Sequence, residues 1–179
     1  MKLLLTSAAL AILAVAAQAQ NLDADAYATV TPDGSNFDYD IHLTDAGDTN
    51  IGTFWFSWIP GFSFMPVDPT NIGSPTGWSA TMFHENNGIG GTGASIQWVA
   101  TNPMHSGDVL DGFTFTSSLS PQELGGMVGN NPMADAFVYH AGPFSDSGYG
   151  FTVNPLPEPS ALAGLSIGAL ALFIRKRKR

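Results

Sequence analysis

Four histidines, His42, His84, His105 and His140, are the side chains suited to moving protons near neutral pH. They stand 42, 21 and 35 positions apart. No H-x-x-x-H or H-E-x-x-H spacing brings two of them onto one helix face for a metal. The polar run His84-Glu85-Asn86-Asn87 reads as an ordinary turn. Carboxylates offer more. Asp38 and Asp40 leave one strand on the same side, about 7 Å apart from the strand rise. An inverting glycosidase separates its acid and base by a similar amount. Its acid also needs a cleft that raises its pKa, whereas this pair belongs to a regular polar face, for which solvation is the simpler role. Hard oxygen donors for calcium fall in or near loops as Asp23/Asp25, Asp33/Asn36, Asp38/Asp40, Asp45/Asp48 and Asp108/Asp111. No EF-hand pattern joins them. The chain is therefore expected to need no cofactor, with Ca²⁺ at Asp38, Asp40, Asp108 or Asp111 as the one exception the residue types allow.

With no cysteine in the chain, thiol nucleophiles, disulfides and Cys-based zinc sites are excluded. Gly164-Leu165-Ser166-Ile167-Gly168 matches the G-x-S-x-G nucleophile elbow, but that elbow needs a strand-turn-helix setting. This serine lies within an apolar run, so the match is set aside. The same glycines form a G-x-x-x-G pattern, which chance supplies in a stretch so rich in small residues. Aromatic side chains suit sugar stacking. Trp78, after Pro75-Thr76-Gly77, and Phe62 and Phe64 in a proline-bearing loop are the ones expected at the surface. The remaining aromatics are expected to fill a core.

The elements that must position these groups read as strands. Phe37 to Thr44 alternates apolar and polar residues, and Gly112 to Thr116 does the same. The aromatic run from Ile51 to Trp58 suits a strand covered on both faces. Further strands are expected at 26–31, 78–83, 94–100, 134–140 and 149–153. Turn signals separate them at Pro32-Asp33-Gly34, Ala46-Gly47-Asp48, Asn87-Gly88, Ser106-Gly107-Asp108 and Gly142-Pro143. Ser120-Pro121-Gln122-Glu123 is a capping box with proline at the first helical position. The segment 60–77 carries four prolines and reads as a long ordered loop. The expected fold is all-β, an antiparallel β-sandwich of jelly-roll or immunoglobulin-like kind.

Charge divides the 179 residues sharply. Lys2 and the cluster Arg175-Lys176-Arg177-Lys178-Arg179 hold all six cations. Between Gln20 and Asn154 there are 14 acidic residues and no lysine or arginine. Nucleic acid, phosphate and anionic membrane surfaces are recognised through lysine and arginine, so none of these is an expected partner of the body.

The two ends read as addresses. Met1-Lys2, an apolar run from Leu3 to Ala16 and Ala17-Gln18-Ala19 form a signal peptide over 1–19, cut after Ala19. The apolar run spans only about 21 Å at 1.5 Å per residue, short of a hydrocarbon core of about 30 Å. At the other end Asn154-Pro155-Leu156-Pro157-Glu158-Pro159-Ser160 cannot be helical, because alternate prolines hold their predecessors extended. An apolar helix, Ala161 to Ile174, is expected to enter the membrane and the basic cluster to stay cytoplasmic. The body, 20–154, would then lie outside.

Pro157-Glu158-Pro159, Ser160, the short apolar helix and the wholly basic end together resemble the PEP-CTERM sorting signal of Gram-negative bacteria. The likeness covers the tail, 155–179. It implies an exported protein handled by signal peptidase and by exosortase, a membrane cysteine transpeptidase that removes the tail. The precursor would be tethered in the inner membrane and the product sent to the surface or matrix, in organisms that often make exopolysaccharide. Trp58-Ile59-Pro60-Gly61, Pro75-Thr76-Gly77-Trp78, Ser95-Ile96-Gln97-Trp98 and Gly112-Phe113-Thr114-Phe115 resemble the ectodomains found upstream of such tails. That likeness carries over no catalytic residue. The expectation is a non-catalytic surface or matrix component, with exopolysaccharide as a partner. The alternatives are a carbohydrate-binding module or a polysaccharide-active hydrolase, which would need two carboxylates among exposed aromatics on a concave face.

Overall fold

The computed structural model of the chain describes residues 21–86, 91–126 and 135–156. The signal peptide, the Asn87-Gly88 turn, Pro157-Glu158-Pro159 with its apolar helix, and the basic end lie outside the described residues. In chain order the elements are β1 (Ala24–Asp33), β2 (Asn36–Asp45), β3 (Ile51–Phe56), β4 (Trp58–Ile59), β5 (Phe62–Ser63) and β6 (Trp78–Asn86). They continue with β7 (Thr92–Met104), β8 (Val109–Ser117), α1 (Pro121–Gly126), β9 (Asp135–Tyr139), β10 (Tyr149–Thr152) and β11 (Asn154–Pro155). No described helix is long and apolar enough to cross a membrane.

Two sheets carry the fold, one ordered β11-β1-β2-β8 and the other β10-β9-β3-β7-β6. Every neighbouring pair is antiparallel except β11 with β1. Period-two alternation decides which residues face inward. The first sheet sends in Ala24, Ala26, Ala28 and Val30 from β1, Tyr39, Ile41 and Leu43 from β2, and Phe113 and Phe115 from β8. The second sends Phe54 and Phe56 from β3, Ile96 and Trp98 from β7, and Ala136 and Val138 from β9. Their rings meet between the sheets, Phe54 edge-on to Phe113 at 5.2 Å and Phe56 tilted on Phe115 at 5.1 Å. Each buried phenylalanine contributes about 1.5–3 kcal/mol, and a chain without disulfides depends on such burial.

Several expected boundaries shift for physical reasons. The strand expected over 51–58 breaks at Ser57, whose φ of 59° turns the backbone into the left-handed region. Trp58 therefore leaves the sheet, and the β4–β5 hairpin folds back across its outer face. The long loop is ordered, as expected, and acts as a strap between the sheets. Met65 pairs with Ala94 on β7, while Thr70 pairs with Thr116 on β8. At the other end, Leu156 N–H donates to the Ala28 carbonyl at 2.9 Å. Pairing with β1 thus runs beyond Asn154, the expected end of the body.

The capping box closes as expected. Ser120 N–H donates to Glu123 Oε2 at 2.7 Å and Glu123 N–H returns to Ser120 Oγ at 3.4 Å. Those bonds from Ser120 hold the Glu123 carboxyl below its ordinary range. α1 sits directly after the turn that receives the Tyr39 hydroxyl.

Candidate functional site

The alternation of β1, β2 and β8 leaves a polar outer face on the first sheet. Register sets threonine on either side of each central aspartate: Thr31, Asp38 and Thr116 in one row, Thr29, Asp40 and Thr114 in the next. With Asn71 from the strap they line a groove of about 450 Å³. Asp38 and Asp40 thus share a face, as their spacing indicated, but that face is a groove and not the regular polar surface expected.

Local bonds fix both carboxylates as acceptors. Thr116 Oγ1 donates to Asp38 Oδ1 at 2.6 Å, and Asn71 Nδ2 donates to Thr116 Oγ1 at 3.3 Å. Gly112 N–H donates to Asp40 Oδ1 at 3.0 Å. That donor is free because the β2–β8 register slips between Ile41 and Leu43, a bulge at which Gly112 takes a φ of 94°. A groove walled by hydroxyls, a carboxamide and carboxylates can hydrogen-bond a polyhydroxylated ligand. Its aromatic members, Tyr39 and Phe115, are buried beneath it. Tyr39 stacks on Phe115 at 4.6 Å and donates its hydroxyl to the Leu119 carbonyl at 2.6 Å. Burial, reinforced by the charge of Glu123, pushes that phenol far above its ordinary pKa.

The other calcium candidates are dispersed. Asp108 accepts from His105 N–H at 2.8 Å in the 105–108 turn. Asp111 pairs with His42 Nδ1 at 2.5 Å. Among the described residues no three His, Asp or Glu side chains are placed to hold one metal ion. The histidines are equally separate. His42 stacks on Tyr27 and meets Thr29, His84 pairs with Asp68 at 2.8 Å, and His140 Nδ1 lies 3.1 Å from the Asn50 carbonyl.

Asp45 is the exception among the acids. It is 1% exposed, its Oδ2 has no hydrogen-bond partner, and Gly47 N–H reaches Oδ1 at 3.2 Å. Burial raises its pKa, and the charge of Asp108 adds to this.

The aromatic expectation needs correction. Trp78 is buried, its ring edge-on to Phe113 at 5.1 Å, because it begins the inward-facing set of β6. Phe62 is exposed on the β4–β5 hairpin and Phe64 is half-buried. A second aromatic assembly, separate from the core, lies on the outer face of the second sheet. Trp55 stacks on Trp58 at 4.4 Å, and Phe137 and Tyr139 complete a nest around them. Phe83 reaches Trp55 at 5.1 Å from β6. Phe144 reaches Trp58 at 5.7 Å and Tyr139 at 5.5 Å from the loop after β9. Burial lifts the Tyr139 phenol pKa, and Asp146 adds to this.

The threonines of the groove and this nest were both missed in the residue-by-residue reading. Alternation does put Thr29, Thr31, Thr114 and Thr116 on polar faces, but strand register alone makes them neighbours of Asp38 and Asp40. Nothing local announces that Trp58 folds over Trp55. Comparison with protein-family models, curated proteins and solved structures finds no match to the chain.

Proposed function

We propose that the chain is an exported, non-catalytic cell-surface or extracellular-matrix protein sorted through its PEP-CTERM-like tail. The carrying observation is the coincidence of charge and motif. Five of six cations follow Pro157-Glu158-Pro159 and its apolar run, and none falls in the 135 residues from Gln20 to Asn154. Signal peptidase and an exosortase-type enzyme act on the two ends, and the inner membrane holds the precursor between those steps. The Asp38 and Asp40 bonds to Thr116 and Gly112 support the non-catalytic reading, since both carboxylates serve the sheet's own network. Replacing Pro157-Glu158-Pro159 by three alanines tests the sorting. The variant should stay in the membrane fraction while the native chain leaves it. Equal distribution of the two would refute the reading.

Between the two sandwich kinds, the strand order favours the immunoglobulin-like one. β1-β2-β8 facing β10-β9-β3 repeats the A-B-E against G-F-C arrangement, with β7 and β6 widening the second sheet. A second reading, a carbohydrate-binding module, is favoured by the hydroxyl- and carboxylate-lined groove. Titration with soluble exopolysaccharide, compared between the native chain and a Thr29→Val/Thr114→Val variant, tests it. Identical heats for the two would remove the groove from consideration.

A further inference from the structure

Four buried side-chain polar atoms lack a hydrogen-bond partner among the described residues, and three come from one four-residue stretch: Trp55 Nε1, Ser57 Oγ and Trp58 Nε1. Native proteins leave few such atoms, and each orphan costs about 1–3 kcal/mol. The same stretch holds the left-handed Ser57, and Phe144 above it is left-handed too, with φ 59°. Bulky residues seldom take that conformation, and it persists where surrounding structure enforces it. Around Phe144, Asp146 ties the loop together. Its carboxylate accepts from His140 N–H at 2.8 Å and Gly148 N–H at 2.6 Å, closing the loop that carries Phe144. Phe144 nevertheless stays 64% exposed, and Phe83 36%. Trp55 and Trp58, at 2% and 1%, lie beneath it.

We propose that this nest, with the exposed Phe144 ring swinging aside and then stacking on the ligand, binds a neutral sugar ring of a polysaccharide. Aromatic faces stack on the C–H faces of a pyranose, while ring and hydroxyl oxygens accept from the two indole N–H groups. A pure hydrocarbon would leave those donors orphaned. An acidic polymer would meet a body with 14 acidic residues and no fixed cation. The proposal deepens the glycan-binding alternative and relocates it from the groove to the opposite sheet. It rests on the export reading only in supplying the compartment where such polymers occur.

The test titrates the full chain, in a detergent without a sugar headgroup, with neutral cello-, manno- and xylo-oligosaccharides, and with oligogalacturonate as the anionic control. Tryptophan emission and calorimetry report binding. At least one neutral series should bind and the anionic control should not. Trp55→Phe and Trp58→Phe keep a ring but remove the N–H, and each should weaken binding about tenfold or more. Phe144→Ala, at an exposed position, should weaken binding without lowering the melting temperature, which keeps the test valid if a tryptophan variant fails to fold. Asp38→Asn/Asp40→Asn should bind as the native chain does. Absence of neutral-sugar binding, binding that follows Asp38 and Asp40, or capture of a proline-rich peptide in place of sugars would each overturn the proposal. So would ordered water on both indoles in a crystal soaked with the best oligosaccharide. Export is scored separately by fractionation, so either idea can fail alone.

Discussion

Gly93 of β7 lies directly beneath the carbonyl of Ser63, so close that a Cβ on Gly93 would stand 2.6 Å from that carbon and nearer still to its oxygen. This contact lets the β4–β5 hairpin rest on the second sheet. Ser63 Oγ also donates to Ser95 Oγ at 3.1 Å one step along. Without that fit Trp58 could not reach Trp55. Gly93→Ala should lift the hairpin, lower stability by about 1–3 kcal/mol, and shift tryptophan emission to longer wavelength as Trp58 meets water. A chemical melt followed by fluorescence checks both effects. Native emission with unchanged stability would show that the contact is dispensable.

Tyr39→Phe should cost about 1–3 kcal/mol, because it leaves the Leu119 carbonyl without the donor 2.6 Å away. The ring stack on Phe115 survives the change, so the loss belongs to the hydroxyl alone. Urea melts of the two proteins at one pH measure it. The α1 capping box should stay formed, since Ser120 and Glu123 satisfy each other.

Local sequence carried most of this architecture. The alternation of Phe37 to Thr44 foretold which face of β2 is buried, and it places Asp38 and Asp40 together on the other. Turn chemistry located Pro32-Asp33-Gly34 and Ser106-Gly107-Asp108. What escaped depends on pairing across distance. Asp40 meets Gly112, 72 positions away, only because β8 bulges there. Trp78 follows a glycine and a loop with four prolines, which suggests exposure, yet strand phase turns it inward onto Phe113. The nest needed both a left-handed Ser57 and a hairpin docked on Gly93, neither of which leaves a periodic trace.

Asp45 gives the body a pH dependence of definite sign. Burial raises its folded pKa above the unfolded value of about 3.9. The folded state therefore favours the protonated form. Its stabilising share is complete below the unfolded pKa and is lost as pH rises through the folded value. Asp45→Asn keeps an oxygen for Gly47 N–H and removes the ionisation. The variant should match the native protein near about pH 3 and melt higher than it near about pH 7. Parallel melting curves across that range would contradict a buried, ionising Asp45.

The charge partition makes the processing reading testable on the native product. Loss of 1–19 and of the basic end removes all six cations and leaves the body at about −14. Trypsin cleaves after lysine and arginine, so the mature product should survive it even when fully denatured. Val109→Lys, at a position 60% exposed, introduces a single site and should yield two fragments under the same conditions. Intact mass before digestion places both cuts. A mass that retains Lys2 or Arg175, or native product that trypsin trims near either end, would mean that the address segments remain attached.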